Sequence, residues 1–309
     1  MAPGAKTANI AGRLLVFGGM GQVGQSVVRQ AGEGVAVALG REHADLTDIV
    51  AVEAVLDEYE PVVVINAAAF QPVDLCESEL RQAFAVNSLA PGMLAAACGR
   101  RDIRLIHLST DYVFGGGQTT PYSESDCPDP LSVYARSKLA GEHVVLTASP
   151  RHCVVRTSSV YGRSRPGRGT SPFVGRMLRR ATDGEPTRVV DDQVVSPTYA
   201  EDLAAALWTL AGSDRAGLFH MAGATPASWY EIAERVFSFA GRLDLLHRTT
   251  AEEFGAAAPR PSYSALRSGR WSELGIDPLP GIDDGLERHL ASAPAGHAKT
   301  PSVPAAGGR

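Results

Sequence analysis

Tyr134 and Lys138 stand one helical turn apart in the stretch Tyr134-Ala135-Arg136-Ser137-Lys138. On a helix that spacing puts the phenol and the ammonium on one face. A neighbouring cation favours phenolate, so the spacing predicts a lowered Tyr134 pKa and a group that gives and takes a proton near neutral pH. Only three of the 29 basic residues are lysines, Lys6, Lys138 and Lys299, so one inside the chain stands out. Upstream, an apolar run closes in Leu108-Ser109-Thr110-Asp111-Tyr112-Val113-Phe114. In a parallel sheet the ligand crevice lies beyond the carboxyl ends of the strands, which puts the Thr110 hydroxyl where a carbonyl oxygen could be held.

Such chemistry needs a redox partner, and the glycines provide a place for one. Gly18-Gly19-Met20-Gly21-Gln22-Val23-Gly24 follows a short apolar run and precedes a helix-like segment. There, glycines let the backbone turn tightly and approach a pyrophosphate at a helix N-terminus. Two registers fit, one from Gly18, Gly21 and Gly24, the other from Gly19, Gly21 and Gly24. The second apolar run ends in Leu39-Gly40-Arg41, with no acid for a ribose 2′-hydroxyl. Arg41 suits a 2′-phosphate better, so NADPH is expected, with NADH left open. From Tyr161 to Arg180 there is no carboxylate, whereas Arg163, Arg165, Arg168, Arg176, Arg179 and Arg180 are present, an anion-binding surface that suits a nucleotide diphosphate. The histidines form no spaced cluster and read as structural or solvated, and Trp229, Phe237 and Phe239 read as helix packing.

The elements that must position these residues alternate. Leu14–Phe17, Val35–Leu39, Val62–Ile65, Leu105–Leu108, Val154–Val155 and Leu218–Phe219 read as strands. Ile49, Val52, Val55, Leu56 and Tyr59 share one helical stripe that Pro61 ends, and Phe84, Leu89, Met93 and Leu94 share another before Gly99. Further helices are expected around Phe173–Ala181 and Trp229–Phe239. The expected fold is α/β, a Rossmann-type doubly wound parallel sheet buried on both faces, with a smaller, interleaved C-terminal substrate lobe. Its boundaries are a flexible tail at 1–12, a dinucleotide-binding domain at 13–160, the substrate lobe at 161–290 and a disordered tail at 291–309. In 309 residues, 44% hydrophobic and 20% charged, disorder can only be local. A net charge of −5 argues against a nucleic-acid partner. Without a signal-like start or a long apolar run, no membrane association and a cytoplasmic address are expected.

In motif order the chain resembles the extended short-chain dehydrogenase/reductases, and more narrowly the dTDP-4-dehydrorhamnose reductase family. The likeness runs from about residue 13 to 290, through Gly-Gln-Val-Gly at 21–24, Asn66-Ala67-Ala68-Ala69, Ser109-Thr110-Asp111-Tyr112, Lys138-Leu139-Ala140-Gly141-Glu142, Arg156-Thr157-Ser158 and Ser196-Pro197-Thr198. It implies reduction of a dTDP-4-keto-6-deoxy sugar. Tyr134 would protonate the C4 oxygen, Lys138 would tune it and hold the nicotinamide ribose, and Thr110 would contact the reacting oxygen. Gly21, Gln22 and Val23 would line the pyrophosphate, Asp45 and Leu46 would meet the adenine, and Ala69, Phe70, Gln71 and Leu108 would lie along the cofactor's other face. Asp111 would contact sugar hydroxyls. Where family members carry Glu for a divalent ion this chain has Ser26, so no metal is expected by that route. The family's Arg-Thr-Ser-Trp is here Arg156-Thr157-Ser158-Ser159; Ser159 removes an aromatic wall from the sugar site, to be refilled by a side chain such as Tyr263 or left for a different ring. A dihydrostreptose synthase-like or antibiotic-sugar 4-ketoreductase variant is therefore open. So are an epimerase or dehydratase with retained NAD, a non-catalytic regulatory subunit on the same scaffold, and a homodimer.

Overall fold

The computed structural model describes residues 13–32, 34–163 and 173–291. Apart from Ala291, the expected tails lie outside these residues, as do Arg165 and Arg168. Six parallel strands form the central sheet: β1 (Leu14–Phe17), β2 (Ala36–Leu39), β3 (Val63–Asn66), β4 (Arg104–Thr110), β5 (Cys153–Thr157) and a sixth, Gly217–His220. Their spatial order is sixth strand, β5, β4, β3, β1, β2. The order reverses between β1 and β3, which opens a crevice beyond their carboxyl ends.

Alternation along β1 sends Leu14 and Val16 to one face and Leu15 and Phe17 to the other. The first pair packs with Val27 of α1 (Gln22–Ala31) and Leu203, Leu207 and Leu210 of the helix Ala200–Ala211. The second packs with Val52 and Leu56 of α2 (Ile49–Tyr59) and Leu94 of the helix Ala90–Arg100. The expected sheet buried on both faces is present. The Asp48 side chain caps α2 by accepting from the Val50 and Ala51 N–H groups, and Glu60 ends it in the left-handed region, at φ 43°. The second stripe is different: Ala85–Leu89 form a π turn before the helix Ala90–Arg100, shifting the helical phase and leaving Leu89 exposed.

Residues beyond β5 build a further core, in which Val174 and Met177 of the helix Phe173–Asp183 meet Ile232 and Val236 of the helix Trp229–Phe239. The sixth strand returns from this portion to pair with β5.

One buried ion pair ties the sheet to the helix Val133–Ala148. Arg156 of β5 donates through Nε and Nη2 to the Glu142 carboxylate, at 2.7 Å for Nη2–Oε2, and Ser109 of β4 donates to Glu142 Oε1 at 2.5 Å. Both charges are almost wholly buried, at 4% and 2% side-chain exposure. Removing one partner strands the other charge, so Glu142→Ala should lower the unfolding free energy by roughly 3–5 kcal/mol. Glu142→Met/Arg156→Met should recover much of that loss, with urea midpoints as the measurement.

Candidate active site

The glycine loop is shaped by sterics. Gly18 lies at φ +70°, where a Cβ would meet the Ala68 nitrogen at 2.6 Å, and a Cβ on Gly24 would meet the Gly18 carbonyl oxygen at 2.4 Å. The Gly21 N–H donates to that carbonyl at 2.9 Å, closing the turn. A Cβ on Gly19 would meet the Ala38 Cα at 2.6 Å, so the first glycine of each register is required by close packing and both end on Gly24, against α1. Gly21 is the N-cap of α1 and no side chain caps it, so the first-turn N–H groups lack a side-chain acceptor.

From this loop runs a cleft of about 740 Å³. Gly18, Gly21, Gln22, Val23 and Gly24 line its middle; Arg41, Asp45 and Leu46 line one end; Ala69, Phe70 and Gln71 form the wall beyond β3. Leu108, Thr110, Asp111, Tyr134, Lys138 and Ser159 line the other end. The tertiary structure therefore brings the predicted glycine-loop, Arg41-end and Thr110–Tyr134–Lys138 residues to one surface. A dinucleotide fits this cleft on two observations: no side chain can grow from Gly18 or Gly24 into the loop, and Gln22 Nε2 and Thr157 Oγ1 are buried, cleft-lining polar atoms without a partner among the described residues. At the Arg41 end, Nε donates to Asp45 Oδ2 at 2.8 Å, while the Thr47 N–H and hydroxyl hold Oδ1. Hydrogen bonds from Thr47 and Arg41 keep the Asp45 carboxyl below the usual range.

At the reacting end, Ser132 caps the helix Val133–Ala148 by accepting the Ala135 N–H, and this helix places Tyr134 and Lys138 on the cleft wall. The expectation of a lowered Tyr134 pKa is corrected: burial raises it, and only a hydrogen bond with Thr110 opposes that. Tyr134 is a neutral phenol that holds its proton. Lys138 is buried and donates to the Leu108 carbonyl at 2.6 Å; burial pulls its pKa down to about 8, against the opposing Glu142 charge. Ser159 lies at φ 43°, an uncommon conformation for a residue other than glycine. Tyr263 does not replace the missing aromatic wall; it packs against the cluster of Val113, Phe114 and Tyr122 and does not line the cleft.

Asp111 is a hub as well as a cleft residue. Its carboxylate accepts from Thr110 at 3.1 Å, Ser158 at 2.8 Å and Ser264 at 2.5 Å, tying the ends of β4 and β5 to the C-terminal segment. Burial raises its pKa to about 6 although all three hydroxyls pull it down.

A second cavity, about 430 Å³, opens beyond Tyr112, whose ring stands edge-on to Tyr134 at 6.2 Å. Arg176, Arg180, Arg188 and Arg260 line it with Phe173 and Trp229, two rings 4.7 Å apart. Of the predicted arginine surface, Arg176 and Arg180 reach this cavity. Trp229 packs on the core of this portion as expected and also lines the cavity, Phe237 is core as expected, and Phe239 is half exposed. Sequence reasoning missed two buried residues. His107 lies 3.4 Å from Lys138, and Asn87, in the π turn, accepts the Phe70 N–H and donates to the Phe70 carbonyl and Ser137 hydroxyl. A polar residue inside an apolar strand or helix was the available signal for both.

The sequence pattern of the family described as RmlD substrate binding domain matches residues 12–294. The chain belongs to this family. It is 42% identical over 291 residues, 92% of this chain and 93% of the relative, to a dTDP-4-dehydrorhamnose reductase of Mycobacterium tuberculosis (strain ATCC 25618 / H37Rv). It is 40% identical over 277 residues, 86% of this chain and 90% of the relative, to a probable dTDP-4,6-dihydroxy-2-methyloxan-3-one 4-ketoreductase of Streptomyces antibioticus. Among solved structures, a dTDP-4-dehydrorhamnose reductase from Bacillus anthracis str. Ames in complex with NADP superposes with a TM-score of 0.86 at 32% identity, covering 91% of this chain and 99% of that one. The fold expected from the sequence is that of these RmlD-family relatives.

The Asp111 hub has a pH signature. Its folded pKa of about 6 lies above the ordinary 3.8, so its contribution to stability is fully present below 3.8 and lost as pH rises through 6. Against Asp111→Asn, which does not titrate, the native chain should lose on the order of 2–3 kcal/mol of relative unfolding free energy between pH 4 and 6.5. Denaturant melts at the two pH values check this.

Proposed function

We propose that this chain reduces the C4 ketone of a dTDP-4-keto-6-deoxy sugar with NADPH, in deoxysugar biosynthesis. The observation that carries the reading is the convergence of Thr110, Tyr134 and Lys138 at one end of a cleft whose middle is the glycine loop and whose other end holds Arg41. Residues 13–160 act as the cofactor lobe and 161–290 as the substrate lobe. NADPH, when bound, supplies the hydride. Gly18, Gly21, Gln22, Val23 and Gly24 hold its pyrophosphate, Arg41 its 2′-phosphate, Asp45 and Leu46 its adenine, and Ala69, Phe70, Gln71 and Leu108 the remaining length.

Tyr134 donates its phenolic proton to the C4 oxygen as charge develops there. A phenol kept neutral by burial is the right starting state for that donation. Thr110 donates to the same oxygen in exchange for its bond to Asp111, and Lys138 balances the phenolate charge. Asp111 and Ser159 meet the sugar, and the arginines and aromatic rings of the second cavity take the nucleotide diphosphate. Serine at 159 leaves room that an aromatic ring would fill, which favours a sugar other than the rhamnose precursor. No helix among the described residues is long and apolar enough to cross a membrane, and a cytoplasmic enzyme without a nucleic-acid partner fits the net charge of −5.

The test is net oxidation of added NADPH across a panel of dTDP-4-keto-6-deoxy sugars, with product stereochemistry read by NMR. An epimerase or dehydratase recycles its NAD, and a regulatory subunit turns nothing over, so the absence of net oxidation overturns the proposal. Tyr134→Phe should lower kcat by about 10²–10⁴-fold while leaving NADPH affinity within about twofold. Arg41→Ala should weaken NADPH by about 1–3 kcal/mol and NADH little, which fluorescence titration of both cofactors measures.

A further inference from the structure

A chain of hydrogen bonds with a forced direction ends on Lys138. The backbone N–H of Ala68 donates to Asn66 Oδ1 at 3.0 Å, which fixes the orientation of the Asn66 amide. Its other end, Nδ2, can then only donate, and it faces His107 Nδ1 at 3.1 Å. Nδ1 must therefore be the acceptor. His107 is wholly buried, and burial with the nearby Lys138 charge holds its pKa well below the ordinary 6.5, so the ring is neutral. A neutral imidazole with an accepting Nδ1 carries its proton on Nε2. That atom lies 3.4 Å from Lys138 Nζ, and the hydrogen bonds of the described residues give Nε2 no other partner.

We infer that His107 is a positioning residue of the reaction: an imidazole locked by Asn66 that turns an N–H toward Lys138 and favours the neutral amine there. An ammonium at Nζ faces another donor, whereas an amine accepts from it. Three further ionisable groups bear on this site: Tyr134 and Glu142 from the lysine's own helix, and Arg156 of β5, which holds the Glu142 charge. The consequence follows the turnover proposed above. Once Tyr134 has given its proton to the substrate oxygen, Lys138 passes a proton from Nζ to the phenolate. The resulting amine takes a hydrogen bond from Nε2–H, and water restores the ammonium. His107 lowers the cost of the middle state without itself changing protonation.

The first test does not depend on the proposed reduction. In protein labelled with ¹⁵N-histidine, two-bond ¹H–¹⁵N correlation should show His107 with a bare Nδ1 and a protonated Nε2, unchanged between pH 5 and 8. Its resonances are identified by their loss in His107→Gln or, if that variant does not fold, in His107→Asn. The opposite tautomer, or an imidazolium, overturns the inference. The second test rests on turnover. Glutamine can turn its carbonyl oxygen toward Nζ and accept from the ammonium, so in His107→Gln the alkaline limb of kcat/KM should move up by about one pH unit. A packing role alone would lower Tm or kcat and leave the limb in place, and that result also overturns the inference.

Discussion

Glu142 and Arg156 are buried together, and the working end of the molecule is assembled around their pairing. The carboxylate sits one turn beyond Lys138 on the same helix, the guanidinium sits one residue before Thr157 on β5, and Ser109, beside Thr110, closes the triangle from β4. A charge pair in so dry a place tolerates little change of distance, because each displacement exposes an uncompensated charge to a low dielectric. The two elements that carry the hydroxyl, the phenol and the ammonium, β4 and the helix Val133–Ala148, are therefore held in one register through β5. The guanidinium also lies 5.1 Å over the Phe114 ring and 3.5 Å from His220 on the sixth strand, so the brace extends across three neighbouring strands.

Asp111 does for the two portions of the chain what Glu142 does within the sheet. Ser158 and Ser264 reach the same carboxylate oxygen from β5's exit and from the C-terminal segment, and Ser158 also accepts the Ser196 N–H at 3.1 Å. The segment carrying Ser264 is pinned in turn by backbone bonds to Val194. The C-terminal segment is thereby fixed relative to Thr110 through one buried acid. Its burial costs the charged form, and three hydroxyl donors offset part of that cost.

Electrostatically the two cavities differ. The long cleft is neutral along its glycine loop, with the ion pair Arg41–Asp45 at its rim. The second carries four arginines, among them Arg180, Arg188 and Arg260 paired with Glu185, Glu253 and Asp74. Tyr112 lines the second cavity and stands edge-on to Tyr134 of the first, so a ligand lying across both would bring its anionic part to the arginines and its other end to the phenol.

Strand and helix placement was legible in the sequence because it follows local rules: apolar runs between turn residues, a 3.6-residue stripe, a proline after Tyr59. The glycine loop, Thr110, Tyr134 and Lys138 were legible for the same reason, each being a short motif with its own geometry. Leu89 escaped that reading because a π turn shifts the phase of an otherwise regular stripe, and the second face of Trp229, toward the cavity, because a ring that packs on the core can also line a cavity. The Tyr134 pKa escaped it because proximity in sequence counts charges but not burial; desolvation outweighed the hydrogen bond with Thr110. The sequence by itself determined which groups could do chemistry and which strand ends would carry them. Only the tertiary structure decided which group holds its proton, which acid braces the lobes, and that His107 faces Lys138, since those outcomes depend on long-range burial and on the direction of hydrogen bonds between residues distant in the chain.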